Sequence, residues 1–463
     1  MNESLVDGTT ERVADSFKEA FEKNDEFNLS SRPRNYSRQF FSMYQHRLSV
    51  LKPRVDLVAM EKWGHNTRRV DGQKIQRKDR ILDISGGELC WVSGTVFTEM
   101  KNKLDIFKDV EHGTDDVMPK TPASYIGNEA SIVMLEDESG RAILHNENLL
   151  ANSRVVSGVI VAVLGIEIQA GIFEAMEIIY PTPAPQKPLS TSDLDRYIAL
   201  VSGLKFQKET DCDLKTVLLQ QWLCGEAGSA EDVALASKVS RVILAGNSLE
   251  EFEEDTERAK DDFGSKNTSH FKAESLVLFN AWLLSIVALI PVTIMAGPKD
   301  PAEICMPQQA LHRSLLGINA RYTGALATDP VQNVTNPAWM EMENGLRILG
   351  SAGQNITDIT KYYPPELEVA PSEILSKTLL WQHVAPTAPD TLYCYPYDDA
   401  DPFALEETPH LYFAGNQSEF GSRKVQLGDF ESTVVSLPEF AETGQMVLVN
   451  TSTLEVKVIE FGV

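Results

Sequence analysis

The sequence predicts a two-part protein of α/β and β class: a small β-barrel, then a layered β-sandwich with flanking helices. Three observations carry this. From Arg80 to Tyr180 short apolar runs alternate with turn residues, and no long helix intervenes, which is how a small all-β unit reads. Prolines at 181, 183, 185 and 188 then break the pattern, and repeated proline makes a stiff connector. After Tyr197 strand-like and helical runs alternate, the signature of a sheet covered by helices. At 463 residues the chain is also too long for one ordinary domain.

Local pattern justifies each element in turn. Residues 1–35 are polar and charged and are expected to form a flexible N-terminal segment. Met1 to Asp7 shows no charged-then-apolar signal segment. Residues 36–79 read as an N-terminal helical region. Within it Phe41, Tyr44, Leu48 and Leu51 share helical spacing, so 37–51 is expected to be an amphipathic helix stopped by Pro53. Core packing and protein docking both suit that face.

The barrel spans 80–180, with expected strands at Ile81–Ile84, Cys90–Met100, Ser131–Leu135, Arg141–His145, Val155–Ile168 and Ile172–Ile179. Glu136 to Gly140 reads as a hairpin with glycine where a positive φ is wanted. The OB-fold is the commonest barrel of this size. Many OB-folds bind single strands by aromatic stacking in a basic groove, but this stretch has few aromatics and an acidic hairpin tip.

Residues 181–196 form the Pro-rich linker, and 197–463 the larger domain. Strands are expected at Tyr197–Ser202, Val239–Ala245, Ile290–Met295, Leu346–Leu349 and Leu411–Ala414, with helices at Leu214–Cys224 and Glu274–Ile286. The acidic run Glu250–Asp262 reads as a solvated helix or insertion. Met446–Val449 and Leu454–Val458 should pair as a closing hairpin.

Composition narrows the function. The net charge of −25, from 67 acidic and 42 basic residues, argues against DNA or RNA as the main direct ligand, because a phosphate backbone rewards basic surfaces. The five cysteines are dispersed with no C-x-x-C pair, which fits reduced thiols in a cytosolic or nuclear protein. The longest apolar runs, 155–166 and 281–296, fall short of the ~20 residues a membrane span needs. An intracellular protein without a membrane anchor is expected.

Chemistry in open α/β sheets collects in loops beyond the carboxyl ends of strands. Four such loops stand out: Ser202-Gly203-Leu204, Gly246-Asn247-Ser248, Gly297-Pro298-Lys299-Asp300 and Gly415-Asn416-Gln417-Ser418. They offer amides, a hydroxyl, an ammonium and a single carboxylate, whereas divalent cations need several convergent carboxylates or imidazoles. The eight histidines form no H-x-H or H-x-x-x-H pair, and neither a Walker A loop nor G-x-G-x-x-G occurs. Asp398-Asp399-Ala400-Asp401 could seat magnesium but reads as an acidic turn before Pro402. Trp381 to Tyr397 is dense in aromatics and prolines, which make a rigid surface. Trp381, His383, Tyr393, Tyr395 and Tyr397, with Phe403 beyond, are the candidates for a partner interface; a well-packed loop over the core is the alternative.

The spacing of the four loops and their flanking strands resembles the calcineurin-like metallophosphoesterase fold. In that family the corresponding loops hold two metal ions that clamp a phosphate and activate water. The resemblance implies that Ser202 stands for the first aspartate and Leu204 for its histidine. Asn247 then replaces the bridging aspartate, and Pro298 and Lys299 replace an Asn-His pair. Asn416 and Ser418 replace the last two histidines, leaving Asp300 as the one possible oxygen ligand.

A barrel, a proline linker and such a degenerate domain together resemble the B subunits of replicative DNA polymerases. Met134 to Arg141, Tyr180 to Pro183, Ala199 to Leu204, Pro307-Gln308-Gln309, His383 to Tyr397, Asp401-Pro402-Phe403 and Pro438-Glu439-Phe440 resemble the small (second, B) subunits of eukaryotic DNA polymerase delta. The length is like that of a yeast member, and the likeness runs from about Tyr36 onward. The resemblance implies a non-catalytic scaffold linking the catalytic subunit's C-terminal cysteine-rich module to a third, clamp-binding subunit, and through it to the sliding clamp. It implies no cofactor in this chain, an iron–sulfur cluster in the catalytic partner, little direct nucleic-acid contact and a nuclear location. Arg68-Arg69 and Arg77-Lys78-Asp79-Arg80 are weak basic clusters of the kind that aid import, or simply solvated loops. The alternatives are an active metal-dependent phosphoesterase and a single-stranded DNA-binding OB protein.

Overall fold

The computed structural model describes residues 12, 17–19, 21–30, 34–37, 39–70, 72–103, 122–127, 131–190, 195–207, 213–250, 273–316 and 330–462. The chain opens with strand β1 (Phe17–Glu19), the one-turn helix α1 (Phe21–Asn24) and the long helix α2 (Phe41–Lys62). Helix α2 starts later than 37 and runs through Pro53, against expectation. Burial is the reason. Met43, Arg47, Leu51, Val55 and Ala59 form one buried i, i+4 row, and its last three residues pack with Trp63 against Trp91 and Ile160. Pro53 falls on the exposed side, so its missing N–H weakens the helix where water can compensate. The expected apolar face is also rotated: Phe41 is 62% exposed, whereas Arg47 is fully buried.

The flexible N-terminal segment needs a second correction. Strand β1 pairs antiparallel with residues 340–342. The Asn24 side chain donates to the Trp339 carbonyl at 2.9 Å and accepts from its N–H at 2.8 Å. Phe27 and Leu29 are buried in the central core. Two apolar residues in a polar stretch are enough to strap 21–30 across the body. The rest of 1–35, apart from 12 and 34–35, lies outside the described residues.

A two-residue ribbon, β2 (Arg69–Val70) with β3 (Gln73–Lys74), precedes the barrel. The barrel comprises β4 (Gln76–Arg77), β5 (Leu89–Glu99), β6 (Ile132–Glu136), β7 (Arg141–His145), β8 (Ile160–Gln169) and β9 (Ile172–Ile179). The order is β4-β5-β6-β7-β9-β8, and β8 pairs back onto β5 to close it. Residues 81–83 form a 3-10 turn instead of a strand. A short helix α3 (Glu147–Ser153) is inserted after β7, capped by the Asn146 side chain.

The larger domain stacks two six-stranded sheets. One runs β13 (Val331–Val334), β12 (Val292–Met295), β11 (Val239–Ala245), β10 (Tyr197–Val201), β19 (Gln445–Asn450) and β20 (Val456–Glu460). Its four strands β10 to β13 are parallel, and β19–β20 is the expected hairpin, with Val449 opposite Val456. The other runs β1, β14 (Ala338–Met342), β15 (Arg347–Ser351), β16 (Leu411–Gln417), β18 (Phe430–Pro438) and β17 (Gly421–Leu427). Ile198, Leu200, Ile243, Met340, Ile348, Phe413 and Val435 fill the space between them.

Helices α4 (Leu214–Cys224), α5 (Ala230–Ser237) and α6 (Ala273–Val287) accompany the first sheet, and Leu219, Trp282 and Ile286 share a core with its outer face. On the far side of the second sheet lie α7 (Gln354–Thr360) and α8 (Pro371–Trp381), with the barrel beyond. The one-turn helix α9 (Phe440–Thr443) joins β18 to β19. One core cluster runs from Val92, Leu135 and Val161 of the barrel to Leu375, Trp381 and Tyr412 of the larger domain. The linker is docked to this body: Thr408 N–H donates to the Pro185 carbonyl, and the Ala184 N–H donates to Gln382 Oε1 at 2.7 Å. Residues 191–194 and 251–272, with most of the acidic run, lie outside the described residues.

Candidate functional site

Two interior polar clusters contain the residues singled out from the sequence. The first is the seam between barrel and larger domain, and the aromatic stretch lies in it. Trp381, His383, Tyr397 and Phe403 are buried, so they cannot form a partner surface, and that expectation is corrected. They fill the junction, where the prolines fix a backbone that two domains must both fit. Tyr393 and Tyr395 alone stay half-exposed. Tyr395 sits edge-on to Tyr36 and Tyr397, and its hydroxyl accepts from the Asn35 N–H at 3.0 Å.

Arg47 ties the seam together, and no sequence pattern above singles it out. Its Nε donates to Asp401 Oδ2 at 2.6 Å, Nη1 to the Pro386 carbonyl at 2.8 Å and Nη2 to the Ala388 carbonyl at 2.7 Å. Nη1 also reaches the Gly158 carbonyl of the barrel at 3.3 Å. Gly158 has φ +86°, and a Cβ there would lie 1.9 Å from the Pro386 carbonyl oxygen, so only glycine lets the two domains meet. His383 Nδ1 accepts from the Ala385 N–H. The neutral ring therefore carries its proton on Nε2, 2.9 Å from Asp401 Oδ2. Burial, reinforced by the Arg47 charge, pushes the His383 ring down to about 4. Burial opposes ionisation of Asp401, but Arg47 and then His383 outweigh it and hold its carboxyl well below the usual range. Asp401 is thus an internal counter-ion, not a magnesium seat. The one hint in the sequence is an arginine on the same helical row as Met43 and Leu51.

The second place is the crevice where the strand ends of the two sheets converge, and the four loops meet there. Gly246 and Gly415 make the approach possible. A Cβ on Gly415 would lie 2.2 Å from the Ala245 carbonyl oxygen, and one on Gly246 2.8 Å from Gly297 Cα. The loops bond to one another. Gly203 N–H donates to the Gly246 carbonyl at 2.9 Å, Lys299 N–H to Asn247 Oδ1 at 3.0 Å and Asn416 N–H to Ser202 Oγ at 2.9 Å. Asn416 Nδ2 donates to the carbonyls of Ala245 and Ala352. Asn247 and Asn416 both take a left-handed backbone, φ 52° and 55°, which asparagine tolerates better than most residues.

Asp300 is fully enclosed. Its Oδ1 accepts from the Leu249 N–H at 2.9 Å and Oδ2 from the Gly297 N–H at 2.8 Å. Burial pushes its carboxyl up to about 6, against the pull of those N–H groups. Beside it Gln308, Asn336 and Gln354 form a neutral amide cluster: Asn336 Nδ2 donates to Gln308 Oε1 and Gln354 Oε1, and Gln354 Nε2 to Gln308 Oε1.

The structure therefore brings Ser202, Asn247, Lys299, Asp300 and Asn416 together. It does not bring in the others. Leu204 is buried in the helix-side core, Pro298 faces out, and Ser418 is exposed beyond the end of β16. Lys299 Nζ turns to Glu250 at 2.5 Å. Both Asp300 oxygens are engaged by backbone donors, and the Asn416 amide nitrogen points its hydrogens at carbonyls. This donor set does not fit a pair of divalent ions. Among the described residues no three His, Cys, Asp or Glu side chains stand close enough to share a metal. No helix among them is long and apolar enough to cross a membrane.

On the barrel, Phe97 lies under Lys103 and Arg141, at 5.4 and 5.0 Å from its ring. Those cations are already matched, Lys103 by Asp390 and Arg141 by Glu136, so the face offers little charge to a phosphate backbone.

Comparison with known proteins bears on both domains. Residues 39–178 match the family model for the OB-fold domain of the DNA polymerase delta subunit, and 198–422 match that for the B subunits of DNA polymerases alpha and epsilon. The DNA polymerase delta small subunit of Saccharomyces cerevisiae is 33% identical over 96% of this chain and 93% of its own length. DNA polymerase delta subunit 2 of Drosophila melanogaster is 31% identical over 94% of this chain and 97% of its own. The DNA polymerase delta small subunit of Oryza sativa is 33% identical over 82% of this chain and 86% of its own. With an OB-fold domain leading a second, mixed α/β domain, and relatives matched nearly end to end, the chain belongs to the family of DNA polymerase delta small subunits.

Proposed function

We propose that the chain is a non-catalytic scaffold of the DNA polymerase delta holoenzyme, acting in the nucleus in replication and repair. In this reading the larger domain is a phosphoesterase-like fold that has lost its metal ligands and serves as a docking body. It holds the C-terminal cysteine-rich module of the catalytic subunit, whose chain carries the iron–sulfur cluster, and a third subunit that reaches the sliding clamp. The observation that carries this is the crevice. Glycines and asparagines draw the strand-end loops onto one another, and the one carboxylate faces inward to backbone N–H groups. A site for metal-assisted hydrolysis needs an open coordination position and converging acids or imidazoles.

The charge supports the same reading. A surface with 25 excess negative charges steers basic partner modules and stays off the duplex that the polymerase holds. The test is reconstitution with the catalytic subunit, with and without its cysteine-rich module. One-to-one association that disappears with the module is the expected result. Binding that is indifferent to the module would refute this arrangement.

A further inference from the structure

The second sheet has two outer sides, and they are protected in different ways. An edge strand offers unpaired N–H and C=O groups to any other strand, and folded proteins blunt such edges with charge or with cover. Strand β17, at one edge, carries Arg423 and Lys424 exposed to solvent. Toward the other edge β14 reads Ala-Trp-Met-Glu-Met, with Ala338, Trp339, Met340 and Met342 buried and Glu341 engaged by Arg347 at 2.6 Å. It holds neither lysine nor proline, so its own sequence does nothing to discourage pairing.

The N-terminal segment supplies the cover. The backbone of β1 pairs with Met340, Glu341 and Met342. One step further along, the Asn24 side chain takes over: it accepts from the Trp339 N–H at 2.8 Å and donates to the Trp339 carbonyl at 2.9 Å. A side-chain amide thus stands where the next peptide group of a neighbouring strand would be. The cover is tied down on both flanks. Upstream, Arg12 donates to the carbonyls of Leu223 and Ala236, in the last turns of α4 and α5, where a cation suits the helix dipoles. Downstream, Glu22 meets Arg347 at 3.2 Å, and the Gln309 side chain holds the backbone at Phe27 and Leu29. Between these anchors β1 itself is only three residues long.

We propose that residues 17–24 are an edge guard, an autoinhibitory contact that keeps β14 from pairing with the β14 of a second copy of this chain. Two copies meeting there would run antiparallel about a two-fold axis, presenting the same strand to each other. With Met340 opposite its own copy, Glu341 faces Trp339 and Ala338 faces Met342, so no like charges oppose each other. The proposal is independent of the scaffold reading, because it concerns the chain before any partner arrives. The test uses the full-length chain with Phe17→Pro, Lys18→Pro, Glu19→Pro and Asn24→Ala. Three prolines cannot form a ladder, and the alanine removes the amide while Phe27 and Leu29 are left unaltered. Sedimentation measures association, and hydrogen exchange over 338–342 and 411–417 is followed at low and high protein concentration.

The unaltered chain should stay monomeric, with 338–342 protected at both concentrations. In the dilute variant, exchange over 338–342 should speed up about tenfold or more, with 411–417 unchanged. Self-association should strengthen about tenfold or more, and exchange over 338–342 should slow again as copies associate. A variant as monomeric as the unaltered chain overturns the proposal, and so does one that associates without slowing exchange at 338–342. Faster exchange at 411–417 as well would make β1 an ordinary structural strand and overturn it. An unaltered chain that already pairs through 338–342 overturns it too.

Discussion

Arg47 enters the core as a charge, and everything around it is arranged to make that tolerable: one carboxylate and three carbonyls from two domains. Breaking a buried pair leaves an uncompensated ion, which costs about 3–5 kcal/mol. Arg47→Ala should therefore lower unfolding stability by that amount in chemical denaturation, and Arg47→Lys should recover only part, since an ammonium cannot copy the fork. A loss within experimental error would contradict this role.

Two buried groups titrate in opposite senses. His383 sits near 4, below its ordinary 6.5, so the unfolded chain binds the proton first and stability falls as pH drops through 6.5 to 4. Asp300 sits near 6, above its ordinary 3.8, so the folded chain holds its proton longer and stability falls as pH rises through 3.8 to 6. Each is worth roughly 3 kcal/mol across its window, and they offset each other. Asp300→Asn should unmask the histidine slope, with urea midpoints rising steadily between pH 4 and 6.5. A flat profile in that variant would show that His383 is not held neutral.

At the scale of elements, the convergence of strand ends depends on absent side chains. Gly415→Ala drives a methyl into the Ala245 carbonyl, and overpacking of this kind typically costs about 1–3 kcal/mol. The same substitution at Gly171, which has open space around it but a φ of +81° that Gly415 lacks, should report backbone strain alone, so the loss at Gly415 is steric. What could be read from sequence here was set by pattern strength. Helix 214–224 and strands 141–145, 172–179 and 239–245 have the expected bounds, because the runs end there at Gly225, Asn146, Pro181 and Gly246. Helix α7 is Gln-Asn-Ile-Thr-Asp-Ile-Thr, too polar and β-branched to announce itself; packing of Ile356 and Ile359 into the core makes it a helix. Pro53 misled for a related reason, since a buried row four turns long outweighed one lost hydrogen bond. In the crevice, the identity of the loops was legible and their closure onto each other was not. The loops that close on one another lie far apart along the chain: Asn416 N–H reaches Ser202 Oγ across 214 residues, and its Nδ2 reaches the Ala245 carbonyl across 171.

At the scale of the molecule, barrel and larger domain share one core, so they should unfold together. Calorimetry of the full chain should show a single transition, and separate melting of residues 39–178 would contradict the continuity of that core. The seam also explains why the aromatic stretch misled: prolines and tyrosines read alike on a surface and in a junction, and Arg47 lies 339 residues from its partner Pro386. Family membership was legible because many short motifs recur in order. The role of the larger domain rests on its crevice being closed to metal. The most direct measurement titrates manganese into the purified full-length chain while following metal binding and hydrolysis of a phosphodiester. Neither stoichiometric binding nor turnover is the predicted result; manganese-dependent turnover that vanishes in Asp300→Asn would contradict it.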